Sequence, residues 1–336
     1  MIRRTLITEE PFEFEAGGRL EHLTVAYHTS REKYTPGDKV IVICHALTAN
    51  SDAEDWWPQL VGPGKLIDTE RYFVLCVNML GSPYGSSGPA SPKADGTPYF
   101  FDFPKVTVRD MIRASILVRK HLGVDHIDLL VGSSIGGFQA FEWAVMESDI
   151  IRNVAFMATA PRVSAWLSST MEAQRMALEA DGTFRECKSL AGGREGLKAA
   201  RAQALISYRG YDGYCLTQSE SDVDTLFAGK VASYERYQGE KLARRFDAYS
   251  YWYLTYAVDS DNVGRGRGGV KKALGTIKSN TVVVAIDSDL LFPPKEVRGW
   301  AEFIPGAKYY EIASQFAHDG FLLESEQITK ILEPLI

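Results

Sequence analysis

The sequence of 336 residues has little cysteine, no long apolar run and no excess of basic residues, and each shortage excludes a class of protein. The four cysteines form neither a C-x-x-C pair nor a metal-finger spacing, so no metal site is expected. No apolar run approaches the roughly 20 residues of a membrane-spanning helix, so no membrane partner is expected. With 37 basic and 43 acidic residues the net charge is −6, which argues against a nucleic-acid partner.

The composition is otherwise that of an ordinary globular protein, with 45% hydrophobic, 24% charged and 11% aromatic residues. The N-terminal Met1-Ile2-Arg3-Arg4 leads into acidic residues rather than an apolar stretch, which argues against a signal peptide. The sequence therefore predicts a cytoplasmic protein with one large domain or two modest ones.

Several short apolar runs lack polar alternation, which is typical of strands buried on both faces of a parallel sheet. These five runs are 39–44, 72–77, 127–131, 154–158 and 281–286. Residues 106–122 carry apolar side chains at helical spacing and end before Gly123, a common helix stop. Residues 12–28 alternate around a glycine pair and predict a hairpin. Together these patterns predict an α/β fold with a mostly parallel central sheet flanked by helices.

Residues 161–275 interrupt this rhythm, because they contain many helix formers but no strong strand pattern. Strand patterns resume at Thr281, so this segment is predicted to be a helical lid insertion in a core formed by residues 1–160 and 276–336. Its tyrosine-rich stretch 249–256 is interpreted as insertion core or a dimer contact rather than as a cofactor site.

The most informative motif is Gly132-Ser133-Ser134-Ile135-Gly136, which follows a strand pattern and precedes a helical one. In this G-x-S-x-G context a nucleophilic serine occupies a tight strand-to-helix turn. Small residues two positions before and after the serine avoid a Cβ clash, and only Ser134 has glycines at both places. The helix N-terminus also favours developing negative charge. Ser134 is therefore the predicted nucleophile.

A serine nucleophile needs a base and an orienting acid, which in α/β hydrolases follow it in the order acid, then histidine. Of six histidines only His318 lies beyond the last apolar run, so it is the predicted base. That run ends before Asp287-Ser288-Asp289, and spacing alone does not separate these two aspartates. His45, in the loop after the first run, is interpreted as shaping a loop that usually supplies an oxyanion donor.

Longer stretches of the sequence resemble the homoserine O-acetyltransferase family of α/β hydrolases, and a generic esterase would share only the elbow. The matches include 45–48, 60–65, 68–73, 80–89, 136–143, 245–248, 253–255, 286–289 and 318–324. The resemblance implies the α/β-hydrolase fold and ping-pong transfer of an acetyl group from acetyl-CoA to the side-chain hydroxyl of L-homoserine. It also implies a place in methionine biosynthesis.

The resemblance assigns five residues to the chemistry. Ser134 would be the nucleophile and His318 the base, while Asp289 would be the orienting acid. The backbone N–H groups of Leu47 and Ile135 would form the oxyanion hole.

The same resemblance assigns three residues to the substrate. Arg201 would pair with the homoserine carboxylate and Asp319 with its ammonium, and Tyr208 would complete the binding site. An arginine and an aspartate at fixed separation suit a zwitterionic amino acid. No cofactor is expected to remain bound, since acetyl-CoA is a substrate, and the family implies a homodimer formed through the helical insertion.

Two departures from the family leave alternatives open. Ser82-Pro83 stands where many bacterial members have a glycine-cysteine pair, and the insertion is shorter than usual, so a serine O-acetyltransferase is one alternative. A homoserine O-succinyltransferase is another, although Leu290-Leu291-Phe292 follows the acid where succinyl-using relatives tend to have an arginine. A carboxylesterase and a non-catalytic binding protein are the remaining alternatives.

Overall fold

The five apolar runs form the centre of an eight-stranded sheet in the computed structural model, which describes residues 1–336. The strands are β1 (Ile2–Ile7), β2 (Phe12–Glu13), β3 (Arg19–Leu20), β4 (Thr24–Thr29), β5 (Val40–Cys44), β6 (Phe73–Val77), β7 (Ile127–Ser133), β8 (Ile151–Met157), β9 (Asn280–Ile286) and β10 (Lys308–Ile312). The α-helices are α1 (Ala53–Trp56), α2 (Val108–His121), α3 (Ile135–Met146), α4 (Ala165–Glu179), α5 (Arg194–Gln218), α6 (Gly229–Ala243), α7 (Ala248–Asp259), α8 (Val270–Leu274), α9 (Pro294–Ala301), α10 (Gly320–Leu323) and α11 (Ser325–Leu332).

The large sheet has the order β1-β4-β6-β5-β7-β8-β9-β10. The six strands from β6 to β10 in that order are parallel, whereas β1 and β4 extend one edge in antiparallel pairing. Strands β5, β6 and β7 are buried along their whole length, which explains their continuous apolar runs. The prediction of a mostly parallel sheet flanked by helices is confirmed.

The local sequence determines where helix α2 begins and ends. The Thr107 hydroxyl accepts the Asp110 N–H at 3.2 Å, and the Asp110 carboxylate accepts the Thr107 N–H at 3.1 Å, which forms a capping box. The helix ends just before Gly123, whose φ of +72° suits glycine. The helix predicted over 106–122 is therefore confirmed.

The predicted insertion (residues 161–275) contains α4 to α8 and no strand, and a β-bridge joins Arg162, near its start, to Asn262, before α8. The tyrosine-rich stretch forms α7, in which Tyr249 and Tyr251 are fully buried. The Tyr249 hydroxyl donates to the Phe184 carbonyl oxygen at 2.8 Å. These side chains form the interior of the insertion and are continuous with the apolar core on one face of the sheet.

The predicted hairpin over 12–28 is wrong in its second half. Only β2 and β3 pair around the glycines, with two residues in each strand. Residues Thr24–Thr29 form β4 instead, which pairs with β1 and β6 in the large sheet. Strand β1 is mostly exposed at the sheet edge, so its residues carry little of the apolar pattern that identifies a strand. None of the helices combines the length and the apolar character needed to cross a bilayer.

Candidate active site

Ser134 lies at the turn from β7 into α3 with φ of 57° and ψ of −130°, a strained backbone conformation for a residue other than glycine. Its N–H donates to the Met157 carbonyl oxygen at 3.1 Å, and its own carbonyl accepts the Thr159 hydroxyl at 2.7 Å. These bonds to the neighbouring strand and the loop after it hold the turn in place. The turn therefore presents the serine at the carboxyl end of the sheet, which is the geometry of a nucleophile elbow.

The two glycines of the elbow lie where no side chain fits. A Cβ added to Gly136 would be 2.0 Å from the carbonyl oxygen of Cys44, and one added to Gly132 would be 2.2 Å from that of Gly136. Both obstacles are backbone atoms of the sheet or the helix, so they cannot move aside alone. Close packing of α3 against β5 therefore requires glycine at both positions.

Replacing Gly136 with alanine is expected to lower the free energy of unfolding by about 2 kcal/mol or more and to slow labelling of the elbow serine. Helix α3 would have to move away from β5 and carry the serine with it. Thermal unfolding and the rate of labelling by a fluorophosphonate probe measure the two effects. Gly299→Ala is the matched control, because a Cβ there meets no atom within 4 Å. A Gly136→Ala protein with unchanged stability and labelling would contradict this packing.

His318 bridges the serine and an aspartate. Its Nε2 lies 2.9 Å from Ser134 Oγ, and its Nδ1 lies 2.8 Å from Asp289 Oδ2. The other carboxylate oxygen of Asp289 accepts the N–H groups of Leu291 at 2.8 Å and Phe292 at 3.1 Å. Because a carboxylate only accepts, Nδ1 carries the ring proton, and Nε2 is free to take the serine proton.

The structure also distinguishes the residues that lie next to this triad in sequence. The Asp287 carboxylate accepts the Ser314 N–H at 3.0 Å and shapes a turn, so it does not contact the histidine. The Ser133 hydroxyl is buried without a hydrogen-bond partner. Asp289 and Ser134 are therefore the members of each pair that meet His318.

The backbone N–H groups of Leu47, which lines the same cavity as Ser134, and of Ile135, which follows Ser134, have no protein acceptor. Ile135 is the first residue of α3, where the N–H has no partner within the helix. The Leu47 N–H, in the loop after β5, donates no hydrogen bond to any protein group. Two free N–H groups near the serine can stabilise the oxyanion of an acyl-transfer intermediate.

His45 holds the loop that carries Leu47. Its Nδ1 donates to the Ala46 carbonyl oxygen at 2.9 Å, and its Nε2 accepts the Met79 N–H at 3.2 Å. Complete burial lowers the pKa of His45 to about 4, so the ring is neutral at physiological pH. With both ring nitrogens occupied, His45 positions the loop and is not available as a base.

A cavity of about 90 Å³ opens above the serine. Six of the eight predicted site residues line it, and the other two lie directly behind: Ile135 follows Ser134, and Asp289 bonds His318. The lining residues are Ala46, Leu47, Thr48, Ser134, Arg201, Tyr208, His318, Asp319, Phe321 and Leu322. A larger cavity of about 760 Å³ lies between β1 and α2 and contains no serine or cysteine among its lining residues. No group of three or more His, Cys, Asp or Glu side chains in the chain could hold a metal ion.

The arginine and the aspartate of this cavity come from α5 and from the 3₁₀ turn Ala317–Asp319. The Arg201 guanidinium lies 5.6 Å from the centre of the Tyr208 ring and forms no ion pair with a protein carboxylate. Burial raises the pKa of the Asp319 carboxyl, an effect opposed by the positive charges nearby. The cavity thus presents one free cation and one carboxylate beside the nucleophile.

Two further arginines contact the site, and the sequence analysis assigned a role to neither of them. Arg209 Nε donates to Asp319 Oδ2 at 3.2 Å. Arg245 donates to the carbonyl oxygen of Thr48 at 2.5 Å and to the Tyr84 hydroxyl, so the insertion also contacts the loop that carries Leu47. Both contacts join residues far apart in the chain, which local patterns do not reveal.

Comparisons with known proteins agree with the architecture. The family described as alpha/beta hydrolase fold matches residues 39–325, which confirms the predicted fold. The chain is 38% identical over 334 residues to homoserine O-acetyltransferase from Cyclobacterium marinum, covering 99% of this chain and 95% of the relative. The structure of homoserine O-acetyltransferase from Staphylococcus aureus has a TM-score of 0.83 at 28% identity, covering 99% of this chain and 94% of that one.

The fold by itself does not distinguish acyl transfer from ester hydrolysis. The structure of esterase E22 has a TM-score of 0.89 at 21% identity and covers 99% of both chains. An identity this low shows a shared fold alone. The near full-length sequence similarity to homoserine O-acetyltransferases is therefore the more specific of the two comparisons.

Proposed function

Because the chain belongs to the homoserine O-acetyltransferase family of the α/β-hydrolase fold, we propose that it transfers the acetyl group of acetyl-CoA to the side-chain hydroxyl of L-homoserine. The product, O-acetylhomoserine, places the enzyme in methionine biosynthesis. The observation that carries the proposal is the hydrogen-bonded series Ser134, His318 and Asp289 below a cavity that holds a free arginine and a carboxylate.

The first half of the reaction forms an acetyl-enzyme. Ser134 Oγ attacks the thioester carbonyl carbon while His318 Nε2 takes its proton, and Asp289 stabilises the resulting imidazolium. The N–H groups of Leu47 and Ile135 donate to the oxyanion of the tetrahedral intermediate. When the intermediate collapses, the carbon–sulfur bond breaks, the leaving sulfur takes the proton from His318, and CoA departs as the thiol.

The second half of the reaction repeats the chemistry with a new nucleophile. The homoserine hydroxyl gives its proton to His318 Nε2 as its oxygen attacks the acetyl carbon. Collapse of the second intermediate breaks the ester bond to Ser134, whose oxygen recovers the proton. The acceptor competes with water because it is held in place, and positioning of this kind is equivalent to about 10⁵ M or more of free reactant.

Recognition of the acceptor is assigned to Arg201 and Asp319, with Tyr208 completing the binding site. Arg201 lies in the cavity without a protein carboxylate, so its charge is available to the acceptor carboxylate. Asp319 uses only Oδ2 in its bond to the protein, which leaves Oδ1 for the ammonium. Burial raises the pKa of the Tyr208 phenol, so its hydroxyl stays neutral and can serve as a donor or an acceptor.

The donor is proposed to be acetyl-CoA rather than succinyl-CoA. Leu290, Leu291 and Phe292 follow the acid, and no cation stands there to pair with a succinyl carboxylate. The Phe292 ring packs against His318 with 5.4 Å between ring centres, so the histidine has an apolar neighbour on that side. The absence of a cation next to the acid favours a short uncharged acyl group.

Three further properties are proposed with this activity. The enzyme acts in the cytoplasm, holds no resident cofactor and forms a homodimer through the insertion. Support for the dimer comes from large apolar side chains on α5 and the segment after it that are 62–84% exposed, a patch typical of interfaces. These side chains are Ile206, Tyr211, Leu216, Leu226 and Phe227. Light scattering at two concentrations measures the oligomeric state.

The proposal is tested by comparing acceptors and donors side by side. We expect kcat/KM for L-homoserine to exceed that for L-serine by about tenfold or more, because the shorter acceptor places its hydroxyl farther from His318 when both charged groups are bound. The kcat/KM for acetyl-CoA should exceed that for succinyl-CoA by a similar factor. Higher activity with L-serine or with succinyl-CoA would show that this compound, rather than the proposed one, is the substrate. Hydrolysis of p-nitrophenyl acetate with no acetyl transfer to any amino acid would indicate a carboxylesterase.

A further inference from the structure

Arg209 joins the insertion to the turn that carries the catalytic histidine. Its Nε donates to Asp319 Oδ2 at 3.2 Å, and both side chains are mostly buried, at 28% and 19% exposure. The guanidinium also lies 5.2 Å from the centre of the Tyr234 ring of α6. Arg209 is therefore fixed from two sides, one of them the carboxylate that the proposed function assigns to the acceptor ammonium.

The backbone next to Arg209 is built to allow this contact. Gly210 interrupts the helical backbone of α5 with φ of 64° and ψ of 177°. A Cβ at that position would lie 2.9 Å from the Ala317 Cβ, so α5 approaches the turn Ala317–Asp319 more closely than another residue would permit. The break in α5 therefore lies next to Arg209, at a residue that packs directly against the catalytic turn.

The titratable groups near Asp319 lie on α5, on α6 and in its own turn. Arg201, Tyr208 and Arg209 lie on α5, Tyr234 lies on α6, and His318 precedes Asp319 in its own turn. Only Arg209 makes a hydrogen bond to the carboxylate. Arg201 acts on it through its charge alone and has no carboxylate partner of its own.

We propose that Arg209 is a positioning residue of the acceptor site: it holds Asp319 Oδ2 and balances its charge, so that Oδ1 faces the acceptor ammonium and Arg201 stays free for the acceptor carboxylate. The two arginines of α5 therefore have different tasks, although both lie close to the same aspartate. Without Arg209, Arg201 would be the remaining cation for Asp319, and the site would pair its own two charges. The inference rests on the proposed function, since it assigns Asp319 to the acceptor.

The test compares Arg209→Gln and Arg209→Lys with the wild-type enzyme. For Arg209→Gln we expect KM for L-homoserine to rise about tenfold or more, with hydrolysis of p-nitrophenyl acetate within about twofold of wild type. Lysine keeps the charge and one donor, so Arg209→Lys should recover part of the loss. Arg194→Gln is the matched control, because Arg194 lies on the same helix as Arg209 but pairs with Glu240 of α6 and does not line the cavity.

The pH profile separates this role from a purely structural one. Burial already raises the pKa of Asp319, and removing Arg209 takes away a charge that lowers it. The carboxyl is then neutral over a wider acidic range and cannot hold an ammonium there. The acid limb of kcat/KM for L-homoserine should therefore move to higher pH in Arg209→Gln, while the acid limb of ester hydrolysis, which needs no ammonium bound to Asp319, should not move.

Three results would overturn the inference. An unchanged KM and pH profile in Arg209→Gln would show that Asp319 needs no partner. An equal loss of ester hydrolysis and acetyl transfer, not recovered by lysine, would show that Arg209 only supports the fold. If thiol release from acetyl-CoA by the wild-type enzyme did not depend on homoserine, the proposed function itself would be wrong. This measurement is made before any variant is compared, so the two failures are distinguishable.

Discussion

The Ser134→Ala protein is expected to transfer acetyl groups at least about 10⁴-fold more slowly than the wild-type enzyme. Without Oγ no acetyl-enzyme forms, and the oxyanion hole and substrate site alone provide only the residual rate. Steady-state thiol release from acetyl-CoA measures the loss. The chain should keep its fold, because the Oγ of Ser134 makes its hydrogen bond to His318 only.

The adjacent serine provides a matched control for this substitution. The Ser133 hydroxyl is buried without a hydrogen-bond partner, so Ser133→Ala removes no interaction and should retain near wild-type activity. Transfer by Ser134→Ala within tenfold of wild type would exclude the covalent mechanism. A large loss of activity in Ser133→Ala alone would show that Ser133, rather than Ser134, is the nucleophile.

The Asp289→Asn protein is expected to lose about 10³- to 10⁴-fold in kcat. Asparagine can present its amide to His318 Nδ1, which would then carry no proton, and the proton would move to Nε2 where it blocks removal of the serine proton. The pH dependence of kcat should change as well, because the imidazolium loses its charged partner. Single-turnover acetylation with acetyl-CoA measures the step directly.

Asp287→Asn is the control for that substitution, because it changes the other aspartate of the same turn. The Asp287 side chain accepts one backbone N–H, from Ser314, and an asparagine side-chain oxygen can accept it too. We expect activity within about threefold of wild type, a small effect typical of surface substitutions. Comparable losses in both variants would mean that the turn geometry, rather than the contact with His318, is what matters.

The nucleophile and the base could be predicted from the sequence because their signals are local or depend only on order. Ser134 has its two glycines within five residues, and His318 is the only histidine beyond the last apolar run. Asp287 and Asp289 both lie in the turn after β9, and their distance from the strand in sequence does not show which of them faces the histidine. The hydrogen bond between Asp289 and His318 is what separates them, and it exists only in the folded chain.

Contacts between segments far apart in the chain could not be predicted from the sequence. Arg209 and Asp319 are 110 positions apart, and their pairing depends on where α5 is interrupted. The residues of β4 were predicted to belong to a hairpin over 12–28, because the preceding residues have the same alternating pattern. Its actual partners, β1 and β6, are selected by burial in the large sheet. The parallel strands were predictable since complete burial leaves continuous apolar runs.

The cavity geometry also bears on why acetyl groups reach an amino acid rather than water. Arg201 and Tyr208 come from the segment 161–275, whereas Ser134 and His318 come from the rest of the chain, so we expect the acceptor to bind between the two parts. An α/β-hydrolase core without these insertion residues has the same triad but no fixed zwitterion site. Preference for transfer is therefore expected to depend on the insertion, and hydrolysis on the core.

Acetyl transfer to homoserine is tested most directly by measuring thiol release from acetyl-CoA with and without L-homoserine, with the product identified by its mass. We expect a rate that rises at least about tenfold on addition of homoserine and a product with the mass of O-acetylhomoserine. A slow rate that homoserine leaves unchanged, with acetate as the only product, would contradict it and would leave a hydrolase in which Arg201 and Asp319 have no acceptor to bind.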